Sequence, residues 1–210
     1  MARVAALLGD LVGSRSSRDR QGLHDNLAQA LSDVSAELPG LGPLAVTAGD
    51  EFQGTYASLG EALASAFAVR VRLSPAIDVR FGVGRGDVTV LDPTAGTQDG
   101  PAWWSARAAI DAVEAAEQET GWSALRTAYR SAQGEDSLQE AVNAALVCQD
   151  LLVDSWDIRS WSIVRGIMQG RTQSDIADEL GISRQAVQQR RRSAGLPMVL
   201  AAAEGLAGLP

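Results

Sequence analysis

The chain has 210 residues, 46% hydrophobic and 21% charged, with a formal net charge of -8, which is enough for one sizeable core and a small second one. Such an acidic balance excludes a protein that coats nucleic acid or membrane over its whole surface. The single cysteine, Cys148, excludes an internal disulfide, and its apolar helical surroundings predict a buried, inert thiol.

The start, Val4-Ala5-Ala6-Leu7-Leu8, carries no long apolar run and no cleavage site, so a cytoplasmic protein with no membrane partner is expected. This run predicts a buried strand ending in a sharp turn at Gly9-Asp10. From Ser17 to Leu38, Leu23, Leu27, Ala30, Leu31, Val34 and Leu38 recur at helical spacing, and Pro39-Gly40 stops that helix. Strands at 44–47 and 52–56 flank Ala48-Gly49-Asp50-Glu51 as a hairpin. Ser58 caps a helix over 59–73 closed by Pro75, and Ile77, Val79, Phe81 and Val83 alternate as a third strand. Residues 92–101 are predicted as a loop, 102–119 as a helix, and Gly134-Glu135-Asp136 as a break in the helical stretch that follows. This order predicts an α+β sandwich over 1–154, with helices on one face of a mainly antiparallel sheet.

If the first strand and the hairpin are neighbours, Asp10 and Asp50 project from adjacent strand ends. Two such carboxylates suit Mg²⁺ holding a polyphosphate, because Mg²⁺ prefers a few carboxylates plus phosphate oxygens. The turn residues Leu11, Val12, Gly13 and Ser14, with Gly49 at the hairpin tip, would supply backbone amides and close approach to the phosphates. Each dipeptide alone also fits an ordinary capped turn.

Gly9-Asp10-Leu11-Val12-Gly13-Ser14, Gly49-Asp50-Glu51-Phe52 and Arg80-Phe81-Gly82-Val83-Gly84-Arg85-Gly86-Asp87-Val88 resemble motifs of the class III nucleotidyl cyclase and diguanylate cyclase palm domain, over roughly the first 120 residues. The resemblance implies a ferredoxin-like palm with Asp10 and Asp50 on Mg²⁺ and a nucleotide as ligand. It departs at Val46, where those cyclases place a base-reading Lys, at Trp104, where they place an Asn, and at Arg107, one residue short of their Arg. The transition-state group is therefore not carried over. The stretches Gly9-Asp10-Leu11-Val12-Gly13-Ser14 and Thr47-Ala48-Gly49-Asp50-Glu51-Phe52-Gln53 also resemble the SatD family of bacterial proteins, a likeness that extends toward the C-terminus and implies a regulatory context.

Trp103 and Trp104, adjacent aromatics at the start of a helix after a Gly-rich loop, offer a surface for stacking on a base; helix neighbours point about 100° apart, so core or dimer packing is expected ahead of one shared ligand. The only histidine, His24, stands on a polar helix face with no cysteine cluster near it, which excludes zinc and triad chemistry as expectations.

From Trp156 the residues Trp156, Ile158, Trp161, Ile163, Val164 and Ile167 predict an apolar helix ending at Gly170. Thr172 and Asp175 form a capping-box pair, Ile176, Ala177 and Leu180 an inner face, Gly181 a turn, and Ser183 the next cap. The pattern resembles the helix-turn-helix of sigma-factor-like and other bacterial regulators, over 155–196, with 197–210 as an apolar tail that packs on the first domain or on a partner. The last of these helices offers Arg184, Gln185, Gln188, Gln189, Arg190, Arg191 and Arg192 with no acid, which suits base edges and phosphates of DNA. Residues 156–196 hold seven Arg against four acids, a net of +3, leaving -11 for the rest. One module binds weakly alone, so a homodimer is expected. Three functions stay open: a DNA-binding regulator whose degenerate cyclase-like domain binds a nucleotide with Mg²⁺, an active Mg²⁺-dependent cyclase or nucleotidyltransferase, and a protein-interaction adaptor.

Overall fold

The computed structural model describes residues 3–14, 19–92, 96–133 and 137–210. The break foreseen at Gly134-Glu135-Asp136 and the helix start foreseen at Ser17 lie outside them. The chain begins with β1 (Val4–Leu11), α1 (Arg20–Glu37), β2 (Ala45–Ala48), β3 (Glu51–Tyr56), α2 (Leu59–Leu73) and β4 (Val79–Gly86), a β-α-β-β-α-β order of ferredoxin-like type. Next come β5 (Thr89–Asp92) and β6 (Thr97–Asp99), which pair as a small separate sheet, with β6 inside the 92–101 stretch expected as a loop. The rest is α3 (Pro101–Ala116), β7 (Thr127–Ser131), α4 (Ser137–Asp154), α5 (Ile158–Met168), α6 (Gln173–Leu180), α7 (Arg184–Ser193) and α8 (Leu196–Ala207). The architecture is α+β around a mixed five-stranded sheet, ordered β2-β3-β1-β4-β7.

β1 runs antiparallel to both β3 and β4 and continues through Gly9-Asp10 instead of turning there. Gly9 faces Phe52 on one side and Phe81 on the other, and those rings meet edge to face with centroids 6.0 Å apart. A Cβ at Gly9 would lie 2.0 Å from Phe52 Cζ. The glycine is therefore room for an aromatic ring inside a strand, not a turn signal.

The sheet is covered on both faces, where helices on one face were expected. Ala5, Leu7, Leu11, Phe52, Val79, Phe81 and Val83 point toward α1, α2 and α4, packing on Leu27, Leu31, Leu59, Val69 and Leu146. On the opposite face, Ala6 and Leu8 meet Ala102, Ala106 and Ile110 of α3. Strand alternation aims Gly82, Gly84 and Gly86 at α3, and a Cβ on Gly84 would stand 2.1 Å from the Ala102 carbonyl oxygen. The glycine row and the alanines of α3 let backbone lie on backbone.

β7, unforeseen in the sequence, joins β4 in parallel. Its start is held by buried Asp150 of α4, whose Oδ2 accepts from the amides of Arg126 at 2.7 Å and Thr127 at 2.8 Å, while its Oδ1 pairs with Arg70 of α2. Cys148 is exposed, contrary to expectation. The inward stripe of α4 is Val142, Leu146, Gln149, Asp150 and Val153, and Cys148 falls beside it.

Trp156, Trp161, Ile163, Val164, Ile176, Ala177, Val187, Leu196 and Val199 form a second core that includes Val71 of α2 and Val153 of α4. Arg165 of α5 donates to the carbonyls of Val71 and Ser74 at the end of α2, at 3.1 and 2.6 Å through Nη2. α8 lies along α2, with Leu206 in the main core and the Leu59 and Gly60 amides each donating at 3.2 Å to the Pro210 and Leu209 carbonyls. Where an apolar tail was expected over 197–210, the chain forms α8, which packs on α2, α4 and α7 and puts Leu196 and Val199 into the second core. No helix among the described residues is long and apolar enough to cross a membrane.

Candidate functional site

Antiparallel pairing of β1 with β3 sets the end of β1 beside the β2–β3 turn. Asp10 is the residue after Gly9, which faces Phe52, and Asp50 sits in the turn just before Glu51 begins β3. The turn closes because Gly49 takes φ +63°, a conformation L side chains rarely adopt. The Ser14 hydroxyl donates to Asp50 Oδ2, fastening the segment after β1 to the hairpin tip.

These residues open onto a cavity of about 430 Å³ lined by Asp10, Leu11, Gly13, Ser14, Asp50 and Glu51 on one side and by Arg80 and the α3 residues Arg107, Ile110, Asp111 and Glu114 on the other. Sheet alternation puts Asp10 and its β4 neighbour Arg80 on the α3 face, so the polar end of the cavity continues the glycine row. Positions 107, 111 and 114 share one helix face.

The site is a balance of charges rather than an apolar slot. Arg80 Nη2 donates to Asp10 Oδ2 at 2.6 Å, and its Nη1 lies 3.2 Å from Glu114 and 3.4 Å from Glu117. Arg107 straddles Glu51, with Nη1 3.2 Å from Oε1 and Nη2 2.9 Å from Oε2. Burial pushes the Asp10 carboxyl up; Arg80 opposes this, and the charges of Asp50 and Glu51 reinforce it. Burial would lower the Arg80 guanidinium, but Asp10 and Glu117 outweigh it and hold the group more firmly protonated. The cavity lining carries five carboxylates against two guanidinium groups, a formal net of -3.

Of the residues the sequence singled out, the fold gathers Asp10, Leu11, Gly13, Ser14 and Asp50 around this cavity. Val12 and Gly49 stand outside its lining, and the Val12 amide is engaged by the Asp78 carbonyl at 2.9 Å. The Leu11 side chain is buried in the main core. Arg80, Glu51, Asp111 and Glu114 complete the site without having been singled out, and Arg107 reaches it despite its one-residue offset. The period-2 phase of β4, which sets Arg80 in line with Gly82, Gly84 and Gly86, was the readable signal for Arg80.

At the other end of the molecule, Thr172 caps α6, its hydroxyl accepting from the Asp175 amide at 3.2 Å while Asp175 Oδ2 accepts from the Thr172 amide at 3.0 Å. Gly181 closes the helix at φ +62° and Ser183 caps α7. Ile176 and Val187 are buried between the helices. Arg184, Gln185, Gln188, Gln189 and Arg192 are exposed on α7, whereas Arg190 and Arg191 are half-buried. Arg190 pairs with Asp157, the cap of α5, at 2.9 Å, and Gln188 accepts from Gln173 at 3.3 Å.

The profile of the SatD family matches residues 4–207, and no curated protein sequence matches the chain. Among solved structures, a bacterial light-regulated adenylyl cyclase is similar at 11% identity and TM-score 0.47, over 61% of this chain and 42% of that one. The guanylyl cyclase Cya2 follows at 12% and 0.44, over 52% of this chain and 70% of its own. The guanylyl cyclase domain of the RhoGC fusion protein from the aquatic fungus Blastocladiella emersonii stands at 16% and 0.41, over 52% and 75%. The chain thus spans under half the length of the first of these.

Proposed function

This chain belongs to the SatD family, and we propose that it is a regulator in which residues 1–154 bind a nucleotide polyphosphate together with Mg²⁺ and residues 155–196 contact DNA as a helix-turn-helix. The observation that carries the first half is the convergence of Asp10 and Asp50 on one cavity whose lining has a formal net charge of -3. Such a lining repels a bare polyphosphate and attracts a divalent cation, so the anion enters only with its metal. Asp50 and the Asp10 oxygen not held by Arg80 are the groups to hold Mg²⁺, which would neutralise the phosphate oxygens. Arg80 keeps Asp10 oriented, Ser14 keeps Asp50 in place, and Gly13 leaves room for phosphate beside the backbone. Arg107, on exchanging Glu51 for a phosphate oxygen, orients the ligand.

The test is calorimetry with nucleoside triphosphates with and without Mg²⁺, paired with product analysis. Binding is expected to require Mg²⁺ and to weaken at least tenfold in Asp50→Ala, the loss of a charged contact. Asp50→Asn, which can still accept from Ser14, separates lost charge from lost local order. Binding without turnover supports the regulator. Product that disappears in Asp50→Ala moves the reading to a Mg²⁺-dependent nucleotidyl cyclase or nucleotidyltransferase. If no triphosphate binds with Mg²⁺, the reading fails.

The DNA half rests on the acid-free α7 and its exposed Arg184, Gln185, Gln188, Gln189 and Arg192. Replacing Arg190, Arg191 and Arg192 with Ala is expected to weaken binding about equally across sequences and to flatten the salt dependence by about one log unit per lost phosphate contact. Arg190→Ala alone should do least, because that side chain is spent on Asp157. A triple variant that binds like the parent at every salt concentration would sink the assignment. The -11 body repels DNA, so a second copy presenting a second module is part of the proposal.

A further inference from the structure

A second cavity, about 540 Å³, adjoins the first and shares Arg107 and Asp111 with it; its other walls are Leu8, Gln53, Gln98, Trp103, Trp104 and Ala108. Both tryptophans line it, although neighbours on a helix were not expected to serve one space. Trp104 is 62% exposed, which leaves its indole accessible for stacking. It is also held in place, its Nε1 donating to Asp99 Oδ1 at 2.8 Å. Two further groups in the lining are buried with no hydrogen-bond partner among the described residues: the Trp103 indole nitrogen, a donor, and Gln98 Oε1, an acceptor. Buried polar groups normally find partners; both atoms are sealed off where the side chains now stand, so a ligand carrying a donor and an acceptor would satisfy them once Gln98 and Trp103 turn toward the cavity.

We propose that this cavity is the base subsite of the bound nucleotide: a purine stacks on the Trp104 indole and exchanges hydrogen bonds along its edge with Gln98 Oε1 and the Trp103 N–H. The proposal rests on the metal–polyphosphate reading of the adjoining cavity. Its geometry follows from α3, where Trp104, Arg107, Ala108, Asp111 and Glu114 share one face. From Trp104 to Asp111 the helix rises about 10 Å, the reach of a nucleotide from base to outer phosphates, with Arg107 midway against the ribose and α-phosphate. A purine edge carries donor and acceptor side by side, and its two rings offer more stacking surface than a pyrimidine.

The test measures affinities of Mg²⁺-ATP, Mg²⁺-GTP, Mg²⁺-UTP and Mg²⁺-tripolyphosphate for the full chain, for Trp104→Ala, Trp104→Phe and Gln98→Ala. At least one purine nucleotide is expected to bind roughly tenfold or more tightly than tripolyphosphate, the scale of one stacked base. Trp104→Ala should remove that difference while leaving tripolyphosphate binding unchanged, Trp104→Phe should restore most of it, and Gln98→Ala should narrow the gap between purine and UTP. Trp104 is exposed, so its two variants keep the fold, and thermal unfolding of Gln98→Ala checks that the third does. Equal binding of nucleotides and tripolyphosphate, unaltered in Trp104→Ala, overturns the base subsite and leaves the metal–phosphate reading standing. No binding of any of the four overturns both.

Discussion

Gly84→Ala is expected to cost about 3 kcal/mol or more of stability and to abolish the nucleotide binding proposed above. The added Cβ would stand 2.1 Å from the Ala102 carbonyl oxygen and 2.2 Å from the Ala106 amide nitrogen. Both are backbone atoms of one helix, so no side chain can swing away; α3 must lift off the sheet by more than an ångström. That helix carries Arg107, Asp111 and Glu114 into the polar cavity and Trp104 into its neighbour, and its displacement takes both sites apart together. Gly205→Ala is the control. Its Cβ would meet nothing within 4 Å in the body of α8, so a gain of roughly 0.5–1 kcal/mol from helix propensity and a restricted unfolded chain is expected. Urea unfolding of both variants, with nucleotide calorimetry on Gly84→Ala, checks the pair. A Gly84→Ala protein within 1 kcal/mol of the parent would contradict the backbone-on-backbone packing.

Asp150→Ala is expected to lose about 3–5 kcal/mol, the cost of stranding one member of a buried ion pair. Asp150 is 2% and Arg70 6% exposed, so the Arg70 guanidinium would keep its charge with no counter-ion and little water. The amides of Arg126 and Thr127 would lose their acceptor at the same time, and β7 with them would lose its anchor. For a chain of this length the midpoint of thermal unfolding should drop by roughly 10 °C. Replacing the pair as Arg70→Met with Asp150→Leu removes the stranded charge but leaves both amides unpaired, so only part of the loss should return. Full recovery in the double variant would mean that Asp150 does not hold the start of β7.

How far the sequence foretold this molecule depends on how far apart the interacting groups lie along the chain. Ser58, Thr172 with Asp175, and Ser183 each cap a helix within three residues of themselves, and the β2–β3 turn closes on its own glycine. Such contacts are encoded locally and were legible. Gly9 misled, because its reason for being glycine is the ring of Phe52 on another strand. β7 escaped notice: a parallel edge strand of five residues shows no hairpin partner nearby, and its anchor lies 23 and 24 residues on, in Asp150.

The candidate site divides along the same line. Asp10, Ser14 and Asp50 were readable because each sits in a short motif of glycine and acid at a strand end. Their company was not: Ser14 meets Asp50 across 36 residues and Arg80 meets Asp10 across 70. By itself the sequence determined most of the helices, the caps Ser58, Thr172 and Ser183, the hairpin, the acidic pair and the basic helix α7, since all of these follow from side-chain period and contacts within a turn or two, whereas α8 read only as an apolar tail. Only the tertiary structure decided that α3 lies on the second face of the sheet. A row of glycines reads locally as flexibility and becomes a close-packing surface only when another backbone is laid on it.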